Sequence, residues 1–335
     1  MIITRSPLRI SLLGGGTDIS EFYKRDEAII FGGSINQHVY VVSNNLSKFS
    51  SEKFRFTYRK TESVLDPGQF QHPVVRSVLS KYKEIQSINL TTFSDIPGGT
   101  GLGSSSAFTV ALLGNLHSLT NKISTSIELA QEAIYIERHE LNEAGGIQDQ
   151  IHSAVGGLRI YKLFKDKIQI GDNLYNSQLT KKLNQSMILV RVGQFRDSKQ
   201  VHFSKNDKGI NFEILRKIND ITKHFQIKFW KNESTIQLLT ECINESWNLK
   251  KKLDPKVSNS EVDDIINLGF KNGAQAAKLC GAGESGFILF IAPPWALIGL
   301  TNVFREDKCQ KVEFIEHGFE NLGLTTDINP ERSLL

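Results

Sequence analysis

Apolar residues recur along the chain with two different periods, and the period sorts the segments into strands and helices. "PLRISLL" (7–13) and "HVYVVSNNL" (38–46) read as strands, the second enriched in β-branched residues. "KFRFTYRK" (53–60) alternates aromatic and basic residues, which suits a half-exposed strand. One helix is expected through "SSSAFTVALLGNLHSLT" (104–120). Another, "SIELAQEAIYIERHEL" (126–141), is opened by Thr125 with Glu128 three residues later, a capping box. At about 100° per residue, Ile127, Ala130, Ile134 and Leu141 share one apolar stripe, and Glu137 falls inside it.

After "GGLRIYK" (156–162) the sequence turns more polar, which places a domain boundary near residue 175 and predicts domains of 1–175 and 176–335. The second part offers a strand at "SMILVRVG" (186–193) and helices around 208–228, 233–252 and 260–273. A strand–loop–strand pair follows at "AAKLCGAG" (276–283) and "SGFILFIA" (285–292), with an edge strand at "KVEFIE" (311–316). Strands and helices are mixed without regular βα alternation, so the expected class is α+β. A length of 335 residues also exceeds the size at which a single core keeps growing, which favours two domains.

Charge narrows the choice of partners. A net charge of +4, with no block of five basic residues, suits small anions and argues against a nucleic-acid stripe. Cys242, Cys280 and Cys309 are odd in number and form no CxxC pair, so neither a disulfide framework nor a zinc site is expected, and a reducing cytoplasm is. The N-terminal stretch lacks the pattern of a signal peptide. The longest apolar run, "FILFIAPPWALIGL", is too short to span a membrane and holds two prolines.

Three glycine-rich segments carry the candidate chemistry: "LLGGGTD" (12–18), "PGGTGLGSSS" (97–106) and "LCGAGESG" (279–286). Without a Cβ, backbone N–H groups can approach an anion closely. From Gly98 to Gly103 the middle segment has the G-x-x-x-x-G spacing of a P-loop, but Ser104 stands where a lysine is usual. Ser104, Ser105 and Ser106 are expected to cap the helix behind them, whose N-terminus suits phosphate. Glu137 on a buried stripe is costly unless it is paired or bound to a metal. An internal salt bridge is one answer; the other is Mg²⁺ shared with a serine and phosphate oxygens. In "GGIQDQ", Asp149 precedes the apolar "IHSAVGGL" and is expected to face inward as a candidate base, with Arg9 as its charge partner.

"PLRISLLGGGTD", "PGGTGLGSSSA" and "KLCGAGESGFILF" resemble, in order, the three motifs of the GHMP small-molecule kinases, named for galactose, homoserine, mevalonate and phosphomevalonate. "GGGTDIS", "ERHELNEAGGIQDQ" and "GQFRDSKQV" are most similar to the bacterial D-glycero-D-manno-heptose 7-phosphate kinase branch. The resemblance implies an N-terminal domain like domain 2 of ribosomal protein S5, a ferredoxin-like C-terminal domain, and ATP with Mg²⁺ as cofactors. It assigns Pro97, Gly98, Gly99, Gly101, Leu102, Gly103, Ser104, Ser105 and Ser106 to ATP, and Ser105 with Glu137 to magnesium. Asp149 becomes the catalytic base and Arg9 the basic residue beside it.

Gly15, Gly16, Thr17, Asp18, Gly146, Asp149, Arg196, Gly281 and Gly283 fall to the substrate. Gly15 and Gly16 stand where galactokinases carry a Glu-His pair, which argues against galactose and for a bulkier or differently hydroxylated sugar. Glu284 and Ser285 interrupt the third motif, so either Glu284 points to solvent or the loop holds phosphate more weakly. The implied reaction moves the γ-phosphate of ATP to the anomeric hydroxyl of a sugar phosphate, with Arg196 and Lys199 as candidate cations for the phosphate already present. The alternatives are a free-sugar kinase of the fucose or galactose type and a non-catalytic sugar and ATP sensor; Asp149 and Glu137 speak against the sensor. No nucleic-acid or membrane partner is expected, and a homodimer is compatible with the sequence.

Overall fold

Two sheets organise the chain in the computed structural model, which describes residues 1–165, 167–193, 210–233, 235–281, 283 and 285–324. The first part supplies β1 (Ile2–Leu13), α1 (Ser20–Tyr23), β2 (Ala28–Asn44), β3 (Phe54–Thr57), β4 (Thr61–Val64) and α2 (Pro73–Leu79). It continues with β5 (Ile88–Ser94), α3 (Ser104–Leu119), α4 (Ser126–Tyr135), α5 (Gln148–Val155), β6 (Leu158–Phe164) and β7 (Lys167–Ile170). Next come α6 (Gln178–Asn184), β8 (Met187–Val192), α7 (Phe212–Trp230), α8 (Ile236–Lys250) and α9 (Ser260–Lys271). The last elements are β9 (Ala276–Leu279), β10 (Gly286–Ile291), α10 (Pro294–Phe304), β11 (Cys309–Lys311) and β12 (Glu320–Leu324).

The larger sheet runs β12-β1-β2-β5-β3-β4, with β6 attached to β2 and β7 to β6. β2 is long enough to share one edge between two partners: Ala28–Gly33 pair with β6 and Val39–Asn44 with β5. The smaller sheet runs β11-β8-β10-β9, all antiparallel. Counted in chain order these strands lie 4-1-3-2, joined as β-α-β-β-α-β, which is the ferredoxin-like arrangement with α7, α8 and α9 in its first crossover. The α+β class and the ferredoxin-like second sheet expected from the sequence are the ones observed.

The boundary expected near residue 175 falls between β7 and α6. The end of the chain departs from expectation. The edge strand expected at 311–316 is reduced to β11 and a bridge from Phe314 to Ile35, and β12 crosses back to pair antiparallel with β1. Its segment is too short and too weakly alternating to register as a strand. "PWALIGLTNVF" forms α10, begun by a proline at its first position, where the missing N–H has no intrahelical partner to lose. Among the described residues no helix is long and apolar enough to cross a membrane.

α3 is buried continuously from Ser106 to His117, as a helix apolar on every side must be. It packs on β1 and β2 with α4 and α5 over it. Buried hydroxyls lock this layer to the sheet: Thr4 Oγ1 donates to the Ala111 carbonyl (2.9 Å) and Ser6 Oγ to that of Ser153 (2.8 Å). Ser153 Oγ returns a bond to the Pro7 carbonyl (2.9 Å), and Ser34 Oγ donates to that of His152 (2.7 Å). α5, absent from the sequence reading, is thereby fixed against β1 and β2.

Candidate active site

The middle glycine loop is built on alternating left-handed residues, Gly99, Gly101 and Gly103, at φ of 80°, 78° and 78°. Gly103, not a serine, is the N-cap of α3, and no side chain caps it. The serines expected as caps occupy the first turn instead, because the left-handed backbone at Gly103 starts the helix one residue early. Their uncapped amides remain donors for an anion. The loop's carbonyls point elsewhere: Arg9 takes that of Leu102 through its backbone N–H (3.0 Å) and that of Gly101 through Nη1 (2.6 Å). Thr100 Oγ1 donates to the Pro97 carbonyl (3.1 Å).

The third glycine loop braces the middle one backbone to backbone. A Cβ on Gly101 would lie 2.3 Å from the Cys280 carbonyl oxygen, and one on Gly281 would lie 2.4 Å from the Gly101 Cα. Gly101→Ala is therefore expected to force the two loops apart. Strained φ and overpacking together should cost about 2–5 kcal/mol. Gly98→Ala is the control, since its Cβ would have 3.5 Å of room to Ser104 Oγ. Thermal melts with and without nucleotide check this: equal melts for the two variants would remove the loop contact from the account.

Glu137 lies in a π-helical turn, Ile136–Glu140, that continues α4. Such turns re-aim side chains and gather at functional sites. Glu137 is 1% exposed, as its place on the stripe predicts, but Ile127 is 47% exposed. The buried face is centred on Leu129, Ala133 and Ile136, roughly 150° around the helix from Ile127. Glu137 Oε2 accepts from Ser106 Oγ (2.9 Å) and Gln150 Nε2 (2.5 Å), with Arg138 Nη2 at 3.5 Å. Ser105, expected as its companion, is exposed; successive helix residues point about 100° apart, so only one of this pair can face α4.

Burial pushes the Glu137 carboxyl up to about 7, against the opposing pull of nearby hydroxyls and Arg138. Its Oε1 is buried with no hydrogen-bond partner. A carboxylate with one open oxygen beside a serine fits Mg²⁺, which takes few protein ligands and completes its shell with phosphate oxygens and water. Among the described residues no cluster of three His, Cys, Asp or Glu could hold a metal by itself.

Asp149 sits in the first turn of α5 and receives Arg9 bidentately, Nε to Oδ1 at 2.6 Å and Nη2 to Oδ2 at 2.5 Å. Burial works against the guanidinium charge, but Asp149 overrides it and holds the Arg9 pKa above its ordinary value. Thr4 and Ser6 face the helix layer, and Arg9 does too, an odd number of positions later. Strict alternation would send it to the opposite face; pairing with β2 is irregular between Pro7 and Arg9, and the Arg9 N–H bonds the Leu102 carbonyl. His152, one turn beyond Asp149, is buried and pushed down to about 3, first by burial and then by Arg9, so it stays neutral and leaves Asp149 as the base candidate.

Asp18 is also buried. It accepts from the Gly16 N–H (3.0 Å) and the Gln148 N–H (3.2 Å), which ties the first glycine loop to the start of α5. Gly146 makes room for it, since a Cβ there would come 1.7 Å from Asp18 Oδ2.

These groups line a cleft of about 180 Å³, which Arg9, Ser11, Gly15, Gly16, Asp18, Arg138, Gly146, Gln148, Asp149 and Gly281 share with Lys250 and Lys278. That volume suits a small polar molecule rather than a nucleotide. Thr17 and Gly283 do not reach it. Thr17 is fully buried with its hydroxyl on the Gly14 carbonyl, and Gly283 packs on the backbone of Lys256 and Val257. Arg196, Lys199 and Glu284 lie outside the described residues. Sequence reading missed Ser11, Arg138, Gln148, Gln150, Lys250 and Lys278, and of these only Lys278, a charge in an otherwise apolar strand, left a local signal. A second hollow of about 250 Å³ beside α1 and α7 is lined by charges of both signs, with Arg216 pairing with Asp26 at 3.1 Å.

Compared with known proteins, residues 71–157 match the GHMP kinases N terminal domain and residues 232–294 the GHMP kinases C terminal domain. The first span holds the middle glycine loop, Glu137 and Asp149; the second holds both lysines and Gly281. A D-glycero-alpha-D-manno-heptose 7-phosphate kinase of Campylobacter jejuni is 27% identical over 96% of this chain and 98% of its own. A solved D-glycero-D-manno-heptose 1-phosphate kinase from Bacteroides thetaiotaomicron shares the fold with a TM-score of 0.76 at 23% identity, covering 97% of this chain and 99% of that one. A Lactococcus lactis galactokinase complexed with galactose does so with a TM-score of 0.71 at 18% identity, covering 96% and 95%.

Proposed function

We propose that this chain, which carries the N- and C-terminal domains of the GHMP kinases, is an ATP-dependent sugar kinase acting on the anomeric hydroxyl of a sugar phosphate. The candidate acceptor is D-glycero-D-manno-heptose 7-phosphate, giving the 1,7-bisphosphate. The carrying observation is Arg9, which grips Asp149 with two nitrogens and the carbonyls of Gly101 and Leu102 with two others. One residue thus sets the distance from base to phosphate loop, and phosphoryl transfer depends chiefly on such positioning.

Asp149 takes the proton of the attacking hydroxyl, and Arg9 keeps it aimed. The first turn of α3 and the middle loop hold the triphosphate. Ser11 Oγ and Gln148 Oε1 are buried polar atoms without partners at the cleft, open to sugar hydroxyls. Glu137 with Ser106 would hold Mg²⁺, which when bound neutralises phosphate charge.

The Campylobacter relative's name supports a heptose phosphate as acceptor, and the Bacteroides structure's name puts the phosphate on a different carbon. ADP release over free and phosphorylated hexoses and heptoses, with NMR of the product, tests the reading. The expected result is turnover with a heptose 7-phosphate and a new phosphate on the anomeric oxygen. Turnover only with free sugars, or a phosphate on another oxygen, would overturn it.

A further inference from the structure

Lys278 is out of place by every local rule. It occupies β9, a strand buried at all four positions, and lysine is almost never buried without a counter-charge. Its ammonium donates to the carbonyls of Ser11 (2.8 Å) and Leu12 (3.2 Å) on β1. Lys250, at the end of α8, donates to the Gly281 carbonyl (2.8 Å). Both line the acceptor cleft, and among the described residues neither forms an ion pair.

The carboxylates nearby are already engaged. Asp149 is closed on Arg9, Arg138 leans on Glu137, and Asp18 takes two backbone amides. Burial, and then the Lys250 charge, lower the Lys278 pKa to about 7, a sign of how poorly the two ammonium groups are compensated. Uncompensated buried charge is costly, and an anion bound there removes the cost.

We propose that Lys250 and Lys278 form a second phosphate subsite, which grips the phosphate that the acceptor sugar already carries. The inference rests on the sugar-phosphate kinase reading and names the residues that would make it specific. The subsite belongs to the C-terminal domain while Asp149 belongs to the N-terminal one, so a phosphorylated sugar is held from both sides of the cleft and a free sugar from one.

The test compares D-glycero-D-manno-heptose with and without its 7-phosphate as acceptors for wild type, K250M and K278M, with a thermal melt of each. The quantity read is the ratio of kcat/KM for the phosphorylated sugar to that for the free one. The expected result is a wild-type preference for the phosphorylated sugar that falls about 10–100-fold in each variant, the worth of a charge-assisted bond. K250M, at a partly open position, decides the matter by itself should K278M fail to fold. Retention of the wild-type ratio within about twofold would overturn the subsite and leave the kinase reading standing. So would an equal fall in kcat for both acceptors, which would assign the lysines to the transferred phosphoryl group. A wild type without preference would overturn the sugar-phosphate reading itself, and the subsite with it.

Discussion

Asp149→Asn should lower kcat by about 10²–10⁴ while nucleotide affinity stays within about threefold. The substitution keeps the shape of the side chain and removes its ability to take a proton. Nucleotide affinity should survive because Arg9 holds the middle loop through contacts Asp149 does not share, Nη1 to the Gly101 carbonyl and its N–H to that of Leu102. Stability should fall as well. Asparagine meets Arg9 with an amide where a carboxylate oxygen had been, and breaking a buried ion pair on one side costs about 3–5 kcal/mol at its upper range. The partial exposure of Asp149, 23% of its side chain, reduces that cost. Rates should therefore be read well below the melting temperature of the variant, by ADP release, beside equilibrium nucleotide binding. Undiminished turnover by a folded variant would remove Asp149 from the chemistry; a loss of nucleotide binding as large as the loss of rate would make it a scaffold residue.

What sequence could reveal here follows the range of the interactions. Glycine loops, caps and amphipathic helices are written within a few residues, and "PGGTGLGSSSA", the Thr125–Glu128 capping box and the buried side of Glu137 were all legible. The apolar tail after Asp149 turned that residue inward correctly even though its helix went unnoticed. α5 is only eight residues long, bracketed by glycine pairs, and is held in place by hydroxyls of β1 and β2 more than a hundred residues away. Its periodicity is too brief to separate from a loop.

The aim of Arg9 departs from strict alternation in a stretch where β1 pairs irregularly with β2, which no single strand displays. The choice of Ser106 over Ser105 depends on which side of α3 meets α4. Lys278 reads locally as one charge in a core strand, and its meaning comes from Ser11, 267 residues earlier. Lys250, Lys278 and Gly281 join the cleft from a part of the chain far from Arg9, Ser11 and Asp149, and only the fold makes them neighbours.

Glu137→Gln should separate the two roles a buried carboxylate can play. In the metal-ligand role, the variant loses on the order of 10²–10³ in kcat/KM for Mg-ATP, comparable to removing one preorganised electrostatic contact from an active site. Its stability should move the other way. The Glu137 pKa is raised by burial to about 7 from an ordinary 4.5, so the folded state binds the proton more tightly than the unfolded chain does. That contribution is complete below about pH 4.5, declines as pH rises through 7, and leaves the ionised carboxylate as a burden above it.

Glutamine does not titrate. In metal-free buffer at pH 8 the variant should therefore be more stable than the wild type by on the order of 1–3 kcal/mol, and the gap should close below about pH 4.5. A salt-bridge role with Arg138, 3.5 Å away, predicts the reverse, a variant less stable at pH 8 whose activity falls only as far as its folding. Denaturant melts of both proteins between pH 4 and 8 in a chelator, set against rates at saturating Mg²⁺, decide between them. A variant that is both inactive with Mg-ATP and sturdier without metal identifies Glu137 as a group kept buried and strained for the cation, which is the positive charge a lysine-free glycine loop lacks.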